Sequence, residues 1–243
     1  MDYSFLQCGE GALTVHLGDG IDPAINRRVT ALQGAIDSAG LRGITDLIPA
    51  YADLTVCYDC TVISAKALQR QLRRLLDSLS VAGQDRRRVF RLPVCYGGDY
   101  GPDLDFVCRH SGLSAQKVIE LHSAPDYLIY MLGFLPGFAY LGGLDPRLHT
   151  PRLDSPRTCI PAGSVGIGGA QTGVYPLASP GGWQLLGRTP VSVFDRQRQE
   201  PILYRAGDLV HFVPISPAEY EEIARAVAAG TYTVQVEEVP VCD

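Results

Sequence analysis

The apolar positions divide the chain into two halves of different texture. In the first half, Leu13–Leu17 reads as a short strand, and Asp22-Pro23 then supplies an N-cap followed by proline at the first helical position. Ile25, Val29, Leu32 and Ile36 recur at helical spacing and predict one buried face, closed at Gly40. Ile44–Pro49 and Leu54–Tyr58 read as two strands with a short connection. Ser64 caps a second predicted helix with the stripe Leu68, Leu72, Leu75, Leu76 and Leu79, and Val89–Cys95 is a further strand. The order β-α-β-β-α-β is the ferredoxin-like pattern.

The second half predicts two short helices, Pro102–Cys108 and Ser114–His122, then an apolar strand at Tyr127–Leu132. From Gly133 to Gly187 the chain carries 12 of its 26 glycines, and no long helical period survives. Short strand-like pieces (Ser164–Ile167, Val174–Leu177, Gln184–Leu186, Val191–Phe194) are separated by Gly and Pro turns, the pattern of a small β-barrel with long loops. Ile202–Tyr204 and Leu209–Val213 continue it, with Ala206-Gly207-Asp208 as a turn. Ser216-Pro-Ala-Glu219 has the form of a capping box, Tyr220, Ile223, Ala224 and Val227 give the following helix an apolar face, and Thr231–Val236 alternates like an edge strand. The fold expected is α+β in two domains. Residues 1–87 form a ferredoxin-like α/β domain, and residues 88–243 form a β-barrel with a C-terminal helix/strand extension.

Gly and Pro make up 43 of the 243 residues, above the average of about 12%. Loops this rich in glycine and proline are usually functional. The net charge of −5 disfavours nucleic-acid binding. No apolar run approaches the roughly 18 residues that span a bilayer. The N-terminus lacks a basic region and carries Glu10 and Asp19, so it does not read as a signal peptide. Seven scattered cysteines then read as free thiols of a cytoplasmic protein, with the lone Cys57-Tyr-Asp-Cys60 placed in a strand rather than at a redox or zinc site. The basic positions Lys66, Arg70, Arg73 and Arg74 read as a solvated helix face.

Several chemistries are disfavoured locally. Gly163–Gly169 lacks the Gly-Lys-Ser/Thr ending of a phosphate loop and opens no helix. Ser164 is out of frame for a Gly-x-Ser-x-Gly elbow. The five histidines do not cluster at ligand spacing, so no metal is expected. His122 reads as a helix C-terminal cap, and His16, His110 and His211 as structural or surface residues. Arg152 and Arg157 suit a planar anion, and His149 suits proton transfer; the same residues suit the satisfaction of loop carbonyls equally well. Phe134, Phe138, Tyr140, Tyr175 and Trp183 are candidates for an apolar pocket wall, with Trp183 partly exposed at the site.

The runs Gly133–Leu141, His149–Arg152, Pro161–Gly169, Gln171–Pro176 and Pro180–Trp183 closely resemble the allophanate hydrolase subunit 1 family. That family includes the B subunit of the ATP-dependent 5-oxoprolinase and KipI-type inhibitors of a sensor histidine kinase, and the same paired domains occur in the carboxyltransferase part of urea carboxylase. The resemblance implies a cyclophilin-like form for the barrel. It implies, first, a non-autonomous component of an assembly that opens 5-oxo-L-proline to L-glutamate with ATP. Its partners would be an allophanate hydrolase subunit 2-type protein (the C-type subunit) and an A-type subunit. ATP would act at the level of the assembly, without a phosphate loop in this chain. The alternatives are a histidine kinase as partner, or an allophanate or urea carboxylase carboxyltransferase role. On the first reading His149 and Arg152 are the catalytic candidates, and Arg157, Gln171, Tyr175, Trp183, Phe134 and Phe138 the substrate-binding ones.

Overall fold

The computed structural model describes residues 3–79 and 86–240. The chain separates into two compact units, Met1–Gln84 and Asp85–Asp243. In the first unit the order is β1 (Ser4–Cys8), β2 (Ala12–His16), α1 (Pro23–Ala39), β3 (Ile44–Pro49), β4 (Asp53–Tyr58) and α2 (Ala65–Asp77). Asp22 starts α1 by accepting the Ala24 N–H at 2.6 Å, and Ser64 starts α2 by accepting the Ala67 N–H at 3.4 Å. The helices bury Val29, Leu32, Leu68 and Leu72 against Leu13, Val15, Leu54 and Val56 of the sheet.

That sheet has the order β1-β2-β4-β3 and is antiparallel throughout. The position beside β2, which the sequence pattern assigns to a strand following α2, is occupied by β1. The predicted strand Val89–Cys95 forms but belongs to the second unit. The strand β1 escapes sequence reading because it is an edge with four of its five residues exposed, so apolar alternation is weak there.

The second unit contains β5 (Arg86–Tyr96), α3 (Leu104–Ser111), α4 (Ala115–Ser123), β6 (Asp126–Leu132), β7 (Ala139–Gly142), β8 (Arg157–Ile160), β9 (Ser164–Gly168), β10 (Gln171–Val174), β11 (Ser179–Gly181), β12 (Gln184–Arg188), β13 (Leu209–Ile215), α5 (Pro217–Ala228) and β14 (Gln235–Pro240). Seven strands close into a barrel, β12-β9-β10-β7-β6-β13-β5, with β5 returning to β12 at Gly187↔Tyr96 and Arg188↔Cys95. Closure removes the edges a small sheet would expose. The strand β5 is long enough to serve three neighbours. It runs parallel to β13 along Val89–Cys95 and takes β14 against Arg86–Arg91. The mixed α+β class and the barrel stand as expected.

Several boundaries differ. Val191–Phe194 and Ile202–Tyr204 are not strands; they touch through a single bridge, Phe194↔Ile202. The piece read as Val174–Leu177 lies earlier, at Gln171–Val174, and the terminal strand later, at Gln235–Pro240. The capping box of α5 forms as predicted, and Tyr220, Ile223, Ala224 and Val227 are half-buried.

His122 corrects the sequence reading. It does not cap α4 but lies wholly buried in the barrel core, stacked on Phe212 with centroids 4.8 Å apart. Its Nε2 lies 2.7 Å from Thr172 Oγ1, and Thr172 Oγ1 donates to the Gly166 carbonyl at 3.0 Å. The hydroxyl therefore accepts from Nε2–H, which leaves Nδ1 to accept from Tyr96 Oη at 2.7 Å. The ring is a neutral, single-tautomer link between β5, α4, β10 and β9.

Burial pushes the His122 pKa from 6.5 down to about 3. Between those values the unfolded chain binds a proton that the folded one does not, so stability falls as pH falls below 6.5. This group alone is expected to remove about 2 kcal/mol between pH 7 and pH 5. His122→Gln keeps a donor and an acceptor but does not titrate. Urea unfolding at the two pH values is expected to show a smaller pH dependence for that variant than for the native chain; equal dependence contradicts the assignment.

Candidate functional site

A cavity of about 140 Å³ opens on one side of the barrel. It is lined by Phe134, Phe138, Tyr140, Arg152, Tyr175, Trp183 and the run Pro180–Gly182. Its wall is a small apolar core of its own, in which Phe138, Ile160, Tyr175, Trp183 and Leu185 are buried together. Phe138 is the hub, with ring centroids 5.6 Å from Tyr175, 5.6 Å from Trp183, 5.3 Å from Tyr140 and 5.6 Å from Phe134, all edge-to-face. That arrangement suits aromatic quadrupoles.

The glycine-rich run lies beneath this cluster rather than in open loops. Residues Ser164–Gly168 are β9, buried at every position. A Cβ on Gly168 would collide with the Trp183 indole, and one on Gly173 would come within 3.3 Å of it. The glycines give the indole a flat backbone floor, a close approach that any side chain blocks. Since this run forms ladder pairs with β10 and β12, its amides do not form a phosphate cradle. Trp183 is only 5% exposed, so it is a wall residue and not the partly exposed one expected from sequence.

Arg152 lies with its guanidinium 6.0 Å from the Trp183 ring centroid. It is the one charged residue among the described residues lining the cavity. Arg157, expected beside it as a ligand-holding residue, is engaged elsewhere. Its Nη2 donates to Asp103 Oδ1 at 2.7 Å and its Nη1 to the Trp183 carbonyl at 3.3 Å. Asp103 also accepts the Leu185 N–H at 2.7 Å. Arg157 and Asp103 therefore hold the segment that presents Trp183. Asp103 carries no sequence signal of this role: it sits at the start of α3 without capping it.

Arg157→Ala leaves Asp103 buried with half its partners. It is expected to cost about 2 kcal/mol, below the usual value for a fully buried pair because the guanidinium is partly solvated. Chemical denaturation measures it, and a loss within about 0.5 kcal/mol, typical of a surface change, contradicts the role.

His149 and Gln171 are not among the residues lining the cavity. His149 is exposed after the 3-10 turn Pro146–Leu148. Its imidazole helps lower the pKa of Asp145, which hydrogen bonds from Arg147 chiefly hold at about 2. Gln171 opens β10. Burial raises the Tyr175 phenol, against smaller opposing effects of the Trp183 backbone and the two arginines, so it stays protonated near neutrality. Phe134 stands at the rim, 66% exposed, with φ +66°, the only positive φ of a non-glycine among the described residues. That conformation costs an L-residue roughly 1–2 kcal/mol, and such strain concentrates at functional sites. Chemically, the cavity can hold a flat group and one negative charge. Its described lining contains no carboxylate, thiol, aliphatic hydroxyl or imidazole.

A family model described as carboxyltransferase domain, subdomain C and D, matches residues 3–204. Two similar proteins are each named as the B subunit of 5-oxoprolinase. The one from Bacillus subtilis (strain 168) is 42% identical over 228 residues, 90% of this chain and 95% of that one. The one from Escherichia coli O157:H7 is 47% identical over 208 residues, 85% and 93% of the two chains. Among solved structures, TTHA0988 superposes with a TM-score of 0.75 at 40% identity over 84% of this chain; this chain spans 40% of that one. No described helix is long and apolar enough to cross a membrane. The chain belongs to the carboxyltransferase subdomain C and D family, and within it resembles the proteins named as the B subunit of 5-oxoprolinase.

Proposed function

We propose that the chain is the B subunit of an ATP-dependent 5-oxoprolinase, the component of an assembly that converts 5-oxo-L-proline, ATP and water to L-glutamate, ADP and phosphate. The observation that carries this reading is the 42–47% identity to two proteins of that name along nearly their whole length. The cavity supports it. Opening a cyclic amide requires a nucleophile, a proton donor and, in this reaction, phosphoryl transfer, and the described lining supplies only one arginine and the phenols of Tyr140 and Tyr175 besides the remaining aromatic and backbone walls. Partners of the A and C types supply the rest, and ATP acts at the level of the assembly without a phosphate loop in this chain. The carboxyltransferase reading stands second, since the relatives named urea carboxylase and urea amidolyase are 26% identical.

Mixing the purified chain with A- and C-type subunits and separating the mixture by size tests the assembly. Co-elution with the C-type subunit, and no glutamate release by the chain alone, are the expected results. Separate elution under conditions where the mixture is active overturns the proposal.

A further inference from the structure

We infer that the aromatic cavity of the barrel is a receptor for one ring-sized carboxylate, with its anionic group on Arg152 and its flat face among Trp183, Tyr175 and Phe138. The choice of ligand rests on the oxoprolinase reading, but the site stands on its own geometry. Its volume of about 140 Å³ is close to that of a cavity of about 150 Å³ that admits benzene, so a single five- or six-membered ring fits.

The walls are rings set edge-to-face, fixed by packing rather than by solvent-exposed side chains. Such a surface takes a planar group with little ordering cost. The cation at the site is positioned for an external anion. Three arginines of the same unit lie on protein carboxylates, Arg88 on Asp208, Arg91 on Glu237 and Arg157 on Asp103, whereas Arg152 has an indole as its neighbour. Guanidinium presents a fork that matches a carboxylate. Phe134, at φ +66°, completes the lining with its ring edge-to-face on Phe138.

Trp183 is the single tryptophan of the chain, so intrinsic fluorescence reads this wall directly. The full chain is titrated with 5-oxo-L-proline, with its neutral methyl ester and with acetate, a carboxylate without a ring. A saturable change with 5-oxo-L-proline below about 10 mM is expected, a decade above the usual range of substrate constants. The ester is expected to bind at least tenfold more weakly, and acetate to give no saturable change. Arg152→Gln is expected to weaken 5-oxo-L-proline at least tenfold while the thermal melting curve stays where it was.

No saturable change with 5-oxo-L-proline, an ester that binds equally well, or an Arg152→Gln chain that binds as the native one overturns the inference. The oxoprolinase reading is judged separately by glutamate release from the assembly. A chain that supports release yet gives a silent titration keeps that reading and loses this one.

Discussion

Trp183→Ala is expected to lower folding stability by about 3–5 kcal/mol, the range for removing a large buried aromatic. The indole is nearly inaccessible, meets Phe138 and Tyr175 edge-to-face, and lies on the backbone of Gly168 and Gly173. Truncation leaves a void that cannot close easily, because its floor is barrel strand and its other walls are rings held by their own contacts. The Arg157 bond to the Trp183 carbonyl is a backbone contact and survives the change, so the loss measures packing. Circular dichroism in urea provides the readout, since the variant has no tryptophan. Trp183→Phe is expected to recover part of the loss. A cost below about 1 kcal/mol for the alanine variant contradicts the view of this cluster as a packed core.

The second large effect is functional. Arg152→Ala is expected to reduce kcat/KM for glutamate release by the reconstituted assembly by roughly 10- to 100-fold, the value of one or two charge-assisted hydrogen bonds. Folding stability is expected to change by no more than about 0.5 kcal/mol, because Arg152 is exposed and forms no salt bridge among the described residues. Arg152→Lys keeps the charge but not the fork and is expected to fall between the two. The split between lost activity and retained stability distinguishes this arginine from Arg157, whose replacement moves stability first. Equal activity of Arg152→Ala and native assemblies contradicts the placement of an anion there.

How much of this is legible in the sequence follows from which interactions are local. Asp22, Ser64, Ser114 and Ser216 announce their helices, since a cap acts on amides two or three residues away, and each makes its bond. Strands with one buried face are equally readable. The strands β1, β8 and β11 are not, being short, exposed or interrupted by proline and glycine. Closure of the barrel through β5 and β12 joins residues some 90 positions apart and leaves no local trace.

The site divides in the same way. The five aromatics and Arg152 converge as their shared Gly/Pro setting suggests, whereas His149 and Gln171 lie outside the cavity lining. Arg157 is taken by Asp103, 54 residues away in the sequence. The glycines read as loop because spacing cannot show that an indole rests on them. His122 reads as a cap because the hydroxyls that bury it, Tyr96 and Thr172, come from two other strands.

The central claim, that this chain is a required but non-autonomous component of an oxoprolinase, is tested most directly by an omission assay. ATP-dependent glutamate release from 5-oxo-L-proline is measured for the three-component mixture and for the same mixture without this chain. The account predicts release that collapses on omission and returns when the chain is added back. A rate unchanged by omission contradicts it.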